Sequence, residues 1–288
     1  MGSVISFLDV PRRLREAAAQ EQALAVLLSS SADSFPGSGY RPGNHKKWME
    51  GLGASNVRVN QVVWPGTHDS ATNGIFAAPL AQCQTLSVVY EQLAMGCRVL
   101  DKDRRVCHGI LLSYPVDVVL DDVKRFLEET TSEFVILEIR TEYDQQDPPE
   151  FARYLVDRLG DHLIRQDDRV FNKTTAKLLP KRVICVWKPR QSPAPKPGEP
   201  LWRLDQHGHA QDKYKLSRNP PVTQSLASLA VEPVTRWIRR FARLFISRVF
   251  VEGHGNKLQV FSTDFIDENF VNACIGFTKA RIDGARAT

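Results

Sequence analysis

Two stretches decide how this chain folds: Trp64-Pro-Gly-Thr-His-Asp-Ser70 and Arg105-Val-Cys-His-Gly109. Each sets a histidine just past a short run containing β-branched residues. From Val57 to Val63 the chain alternates like a strand, with Val57, Val59, Gln61 and Val63 on one face, and it turns at Pro65-Gly66. His68 and Asp69 are therefore expected where a strand ends and a loop begins. His108, between Val106 and Gly109, is expected in an equivalent place on a neighbouring strand. Two histidines at adjacent strand ends can take a proton and return one, which is the minimum for general acid–base chemistry. A lone histidine is more often a capping or core residue, so the weight lies in the order of the surrounding motifs.

That order continues. Gly96-Cys-Arg-Val-Leu-Asp101, Ser132-Glu-Phe-Val-Ile-Leu-Glu-Ile-Arg140, Arg182-Val-Ile-Cys-Val-Trp-Lys188 and Leu258-Gln-Val-Phe-Ser-Thr-Asp264 are short apolar runs, each closing on an ionisable residue. In a parallel barrel, the side chains at the C-terminal strand ends converge on one mouth, where chemistry sits. Amphipathic stripes intervene at helical spacing: Val116, Val119, Val123, Phe126 and Leu127, then Phe151, Tyr154, Leu155 and Leu159, then Val234, Trp237, Ile238, Phe241, Leu244 and Phe245. The pattern predicts an α/β, TIM-barrel-like (β/α) fold. Prolines at 189, 193, 195, 197 and 200 break the pattern from Pro189 to Pro221. About six strands are convincing against the eight of a closed barrel, so an open or incomplete barrel is expected.

Residues 1–44 read as an N-terminal helix (Pro11 to Ser29) and a Ser/Gly/Pro-rich linker, with the barrel occupying residues 45–288. The chain has 288 residues, 42% hydrophobic and 25% charged, with a formal net charge of +5. That composition is ordinary for a globular protein. The modest positive balance suits work near anionic phospholipid, and aromatic–basic interleaving of a nucleic-acid-binding kind is absent. Five scattered cysteines without metal-ligand spacing read as buried thiols of a reducing compartment, favouring a cytoplasmic location. Met1-Gly2-Ser3-Val4-Ile5-Ser6 fits N-myristoylation at Gly2, and Arg12, Arg13 and Arg15 are the kind of second signal that a single acyl chain needs. Segment 1–44 is thus a candidate membrane-proximal element.

From about Asn56 to Ile282 the chain resembles the X domain of phosphatidylinositol-specific phospholipase C, in the single-domain bacterial form and that of the plant PLC-like phosphodiesterases. Pro-Gly-Thr-His-Asp-Ser, Val-Cys-His-Gly and the late Ser-Thr-Asp-Phe carry the resemblance. It implies attack of the inositol 2-hydroxyl on phosphorus, giving diacylglycerol and a cyclic inositol phosphate. By the same resemblance His68 is the base, His108 the acid, Asp264 the partner that orients His68, and Asp69 the partner of His108. Arg140 and Lys188, ending strands at the expected mouth, are candidates for contact with inositol or its phosphate. Asp212 and Tyr214, in Gln211-Asp-Lys-Tyr-Lys215, resemble a bacterial segment whose acid binds inositol hydroxyls and whose tyrosine packs on the ring.

One motif departs from the family. Its bacterial and plant members carry Asp-x-Arg at the end of the second strand. Here Leu100-Asp-Lys-Asp-Arg-Arg105 runs directly into Val106, so Asp101 matches the acid while the arginine and its neighbours are missing; an ungapped reading instead puts Asp103 at the arginine position. The expected activity is a phosphoric diester hydrolase acting on phosphatidylinositol-type lipids without a required cofactor. The alternatives are Ca²⁺ bound by Asp101 and Asp103, as paired acids do in the animal enzymes, and a weakened barrel that only binds phosphoinositide membranes. Glycerophosphodiester hydrolysis wants a Glu-x-Asp metal site, which is not found.

Overall fold

The computed structural model describes residue 22 and residues 37–53, 57–74, 84, 88–103, 105–108, 111–141, 146–203, 259–263 and 265–284. Its strands are β1 (Val63–Thr67), β2 (Val99–Asp103), β3 (Arg105–His108), β4 (Leu111–Pro115), β5 (Val135–Arg140), β6 (Val183–Lys188), β7 (Leu201–Trp202) and β8 (Gln259–Thr263). Six of them form one sheet in the order β7-β6-β5-β2-β1-β8, and every pairing in it is parallel. The first strand thus lies beside the last, as in a barrel whose chain ends meet. The edges β7 and β8 flank residues 204–258, which lie outside the described residues together with the expected helix around Trp237.

Among the described residues five α-helices with described bounds accompany the sheet: α1 (Trp48–Leu52), α2 (Val89–Met95), α3 (Val116–Glu128), α4 (Phe151–Leu159) and α5 (Glu268–Ile282). The apolar stripes expected of α3 and α4 are realised. Val119, Leu120, Val123, Phe126 and Leu127 of α3, with Leu155 and Leu159 of α4, pack on Val135, Leu137 and Ile139 of β5. Each such side chain contributes about 1.5–3 kcal/mol by leaving water. Strand alternation sends Ile136 to the opposite face, where it joins Val99, Ile184, Val186, Trp202 and the α5 residues Phe270, Ile275 and Phe277 in a second core. No described helix is long and apolar enough to cross a membrane.

Arg98 lies at the foot of the sheet with its side chain fully buried beside Glu133. Its guanidinium donates to the carbonyls of Leu93 (2.9 Å), Cys97 (2.7 Å) and Lys46 (2.8 Å). It also sits 5.4 Å from the Trp48 ring centre and 4.8 Å from that of Phe126. A buried charge needs such complete pairing. Arg182 does a related task, donating to the Leu127 and Thr130 carbonyls at 2.7 Å each and so capping the end of α3.

Two expectations need correction. The alternation from Val57 predicts a strand over 57–63, yet Val59–Gln61 is a 3₁₀ turn and the strand is Val63–Thr67. The Gln61 side chain accepts from the Arg58 N–H at 2.9 Å, while Val57 and Val59 bond the backbone of Thr175 and Lys173 instead of a sheet neighbour. Secondly, β3 is not a barrel strand. It pairs antiparallel with β4 in a separate two-stranded sheet that begins one residue after β2.

Cys97, Cys185 and Cys274 are buried free thiols, as expected. Burial pushes Cys185 up to about 12 and the other two upward as well. Of the helix expected over Pro11–Ser29 only Gln22 is described, helical and exposed, and Gly2 and Cys83 lie outside the described residues. The end of the expected linker packs tightly: a Cβ on Gly276 of α5 would lie 2.0 Å from the Gly37 carbonyl oxygen. Gly276→Ala is therefore expected to lower stability by about 1–3 kcal/mol through overpacking. Thermal denaturation checks this, and an unchanged midpoint would contradict it.

Candidate active site

The site is built where the strands end. The parallel register aligns Val99 with Ile136 and Ile136 with Ile184, Asp101 with Glu138 and Glu138 with Val186, Asp103 with Arg140 and Arg140 with Lys188. Side chains alternate every second residue, so these three ranks share one face. The first rank is apolar, the second carries two carboxyls, and the third carries Arg140 and Lys188.

β1 ends at Thr67, and His68 begins a tight turn, as its sequence position implied. Ser70 fastens that turn to β2: its N–H donates to the Asp101 carbonyl (3.1 Å), and its hydroxyl accepts from the Asp101 N–H (3.0 Å) and from the Thr67 hydroxyl (2.7 Å). Asp69 adopts φ +45°, a left-handed conformation that Asp tolerates better than most side chains. The Thr72 hydroxyl and N–H both donate to its carbonyl.

His68 consequently lies between two carboxylates. Its Nδ1 is 3.8 Å from Asp69 Oδ2 and its Nε2 is 4.0 Å from Asp101 Oδ2. The ring is 45% exposed, whereas the Asp101 side chain is only 5% exposed. Asp101 Oδ2 makes no hydrogen bond among the described residues, so the imidazole faces an unsatisfied carboxylate oxygen. The other oxygen, Oδ1, accepts from Arg140 Nη2 at 2.6 Å, and the same nitrogen donates to Glu138 Oε1 at 2.9 Å. Charge-assisted bonds of this length are strong. His68, Asp69, Asp101 and Arg140 are thus brought together, and Lys188 ends the adjacent strand with its side chain exposed.

His108 ends β3, but its side chain lies outside the described residues, as do Asp264, Asp212 and Tyr214. Asp69 was expected to serve His108; the structure sets it beside His68 Nδ1. Among the described residues, no group of three or more histidine, cysteine or acidic side chains is placed to hold a metal ion. Asp101, the expected ligand whose side chain is described, has one oxygen engaged by a guanidinium.

Sequence reasoning missed Glu138 and Gln84. Glu138 had a signal: it is the one acid inside the apolar run Phe134–Ile139, in phase with Arg140. Gln84 had none, because its partners are distant in sequence. It is fully buried, its Nε2 donating to the His68 carbonyl at 2.8 Å and its Oε1 accepting from the Ile266 N–H at 3.3 Å.

Residues 72–188 match the family model described as phosphatidylinositol-specific phospholipase C, X domain. Among solved structures, the phosphatidylinositol-specific phospholipase C from Listeria monocytogenes is similar, at 16% identity and a TM-score of 0.54, over 81% of this chain and 98% of that one. Its counterpart from Staphylococcus aureus is similar at 14% identity and a TM-score of 0.52, over 81% and 97%. At these identities the likeness is one of fold, and it agrees with the α/β, barrel-like sheet.

Burial, and then the neighbouring Asp101 carboxylate, push Glu138 up from 4.5 to about 7, against the pull of Arg140, Lys188 and His68. A carboxyl raised in the folded chain favours folding with its proton on. That contribution is whole below the ordinary glutamate range and is lost as pH rises through about 7. Glu138→Gln mimics the protonated form, so its urea midpoint should match that of the wild type near pH 4. It should exceed it above pH 8, by up to about 3 kcal/mol in stability. A difference independent of pH would contradict this.

Proposed function

We propose, for a chain whose residues 72–188 match the family model of the phosphatidylinositol-specific phospholipase C X domain, that it is a phosphoric diester hydrolase cleaving phosphatidylinositol-type lipids. The observation that carries this reading is the single carboxylate Asp101, which faces the His68 imidazole through one oxygen and binds the Arg140 guanidinium through the other. A base and a phosphate-binding cation are thereby held side by side, as an intramolecular phosphoryl transfer requires.

In the proposed reaction His68 takes the proton from the inositol 2-hydroxyl as that oxygen bonds to phosphorus. The bond from phosphorus to the glycerol oxygen breaks, and His108 protonates the departing diacylglycerol. The other product is a cyclic inositol phosphate. Asp69 and Asp101 stabilise the imidazolium formed on His68, and Asp264 completes its orientation. Arg140 takes the place of the missing Asp-x-Arg arginine, reaching Asp101 from the neighbouring strand instead of from two residues on. Lys188 sits beside it in the same rank, and Asp212 and Tyr214 contact the head group. Gly2 acylation with the basic cluster at Arg12, Arg13 and Arg15 brings the chain to the cytoplasmic face of a membrane.

A second reading is favoured by one observation: two buried carboxyls, Asp101 and Glu138, bond Arg140. If they compensate its charge too well, the barrel binds phosphoinositide membranes without turning lipid over. Release of water-soluble inositol phosphate from phosphatidylinositol vesicles separates the two. The wild type is expected to release it equally with Ca²⁺ and with chelator. His68→Ala should abolish release, and Arg140→Leu should reduce it by about 10²–10³-fold. No release by the wild type, with vesicle binding intact, would sink the enzymatic reading in favour of the second. Release abolished by chelator would implicate a metal.

A further inference from the structure

We infer that Gln84 is a positioning residue for the proposed base, setting His68 through the backbone of its turn. This rests on the enzymatic reading only in that it names His68 as the base. β1 and β8 run in parallel register from Val63↔Gln259 to Thr67↔Thr263, and their pairing stops there. Beyond that point no sheet hydrogen bond joins the two chains among the described residues. Gln84 takes over at that place: its amide nitrogen donates to the carbonyl of His68, one residue past β1, and its amide oxygen accepts from Ile266, three residues past β8.

Both anchored turns also contain a non-glycine residue at positive φ beside the anchored group. Asp69 (φ +45°) follows His68, and Phe265 (φ +49°) precedes Ile266. Such conformations are unfavourable for side-chain-bearing residues and persist only where the surroundings determine them. A fully buried amide bonded at both ends does this. From the other side the turn is held by Gln92 of α2, whose Nε2 donates to the Ser70 carbonyl at 2.5 Å. His68 is thus bracketed by two buried glutamines, and Gln84 is the one that bonds its own peptide and ties it to the adjacent strand end.

The positioning role is tested with Gln84→Met, which keeps the size and removes both hydrogen bonds, and with Gln84→Glu. The readouts are kcat and KM on phosphatidylinositol vesicles and the NMR titration of the His68 ring, identified among the seven histidines by its loss in His68→Gln. Gln84→Met is expected to lower kcat about 10–100-fold at unchanged KM, and to move the His68 titration midpoint. Gln84→Glu is expected to approach wild-type kcat at low pH, where a protonated carboxyl can still donate to the His68 carbonyl. It should lose activity as pH rises and that donor ionises.

Wild-type kcat and an unmoved His68 midpoint in Gln84→Met would overturn the inference. So would a Gln84→Glu profile parallel to that of the wild type. If the wild type itself turns over no lipid, the function reading fails on its own, and the His68 titration still decides: a moved midpoint sustains the positioning role, an unmoved one overturns it. Should Gln84→Met fail to fold, the pH profile and titration of Gln84→Glu carry the same decision.

Discussion

The buried pair of Arg98 and Glu133 pins the register on which the mouth depends. The Arg98 N–H donates to the Pro65 carbonyl of β1 at 2.8 Å, and its own carbonyl accepts from Ile136 of β5 at the same distance. Its guanidinium grips Glu133, two residues before β5 begins. β2 is therefore tied at its foot to both neighbours. A slip of one residue would turn Asp101 and Glu138 toward the helices and bring Leu100 or Leu137 into the mouth. A pair this buried adds little to stability beyond what apolar residues of the same shape would, whereas removing one partner strands a charge at a cost of about 3–5 kcal/mol. Its value here lies in fixing which residues face inward.

That register concentrates opposite charges in a small space. Asp101 and Glu138 are neighbours across two strands, and the Arg140 guanidinium bonds both. Asp101 remains buried with one oxygen turned toward His68. Glu138, raised to about 7, carries a proton part of the time near neutrality and so moderates how much negative charge Arg140 must offset. In this way Arg140 of β5 sets a cation against Asp101 of β2.

Much of this was legible beforehand, for reasons particular to each residue. Arg140 and Lys188 close apolar runs, so their places at strand ends follow from local pattern alone; His68 does follow a strand, but Pro65-Gly66, read as its turn, lies inside β1. The Val57–Val63 alternation misled because alternating valines fit a chain pinned to another loop as well as one in a sheet. Arg105-Val-Cys-His108 looked like a barrel strand because four residues carry too little pattern to separate a hairpin arm from a barrel stave. Glu138 was visible as an oddity without a partner, since the partner is set by strand register. Gln84 was invisible: its bond to Ile266 spans 182 residues, and nothing local marks an amide that closes a gap between two loops.

The most direct test of acid–base chemistry at His68 is the ³¹P NMR spectrum of phosphatidylinositol vesicles during incubation with the wild-type chain. Attack by the inositol 2-hydroxyl requires a cyclic phosphodiester as the first product, with any phosphomonoester appearing later. A phosphomonoester that appears first, or with no cyclic precursor, would contradict the proposed mechanism, because water and not the sugar hydroxyl would then have attacked phosphorus.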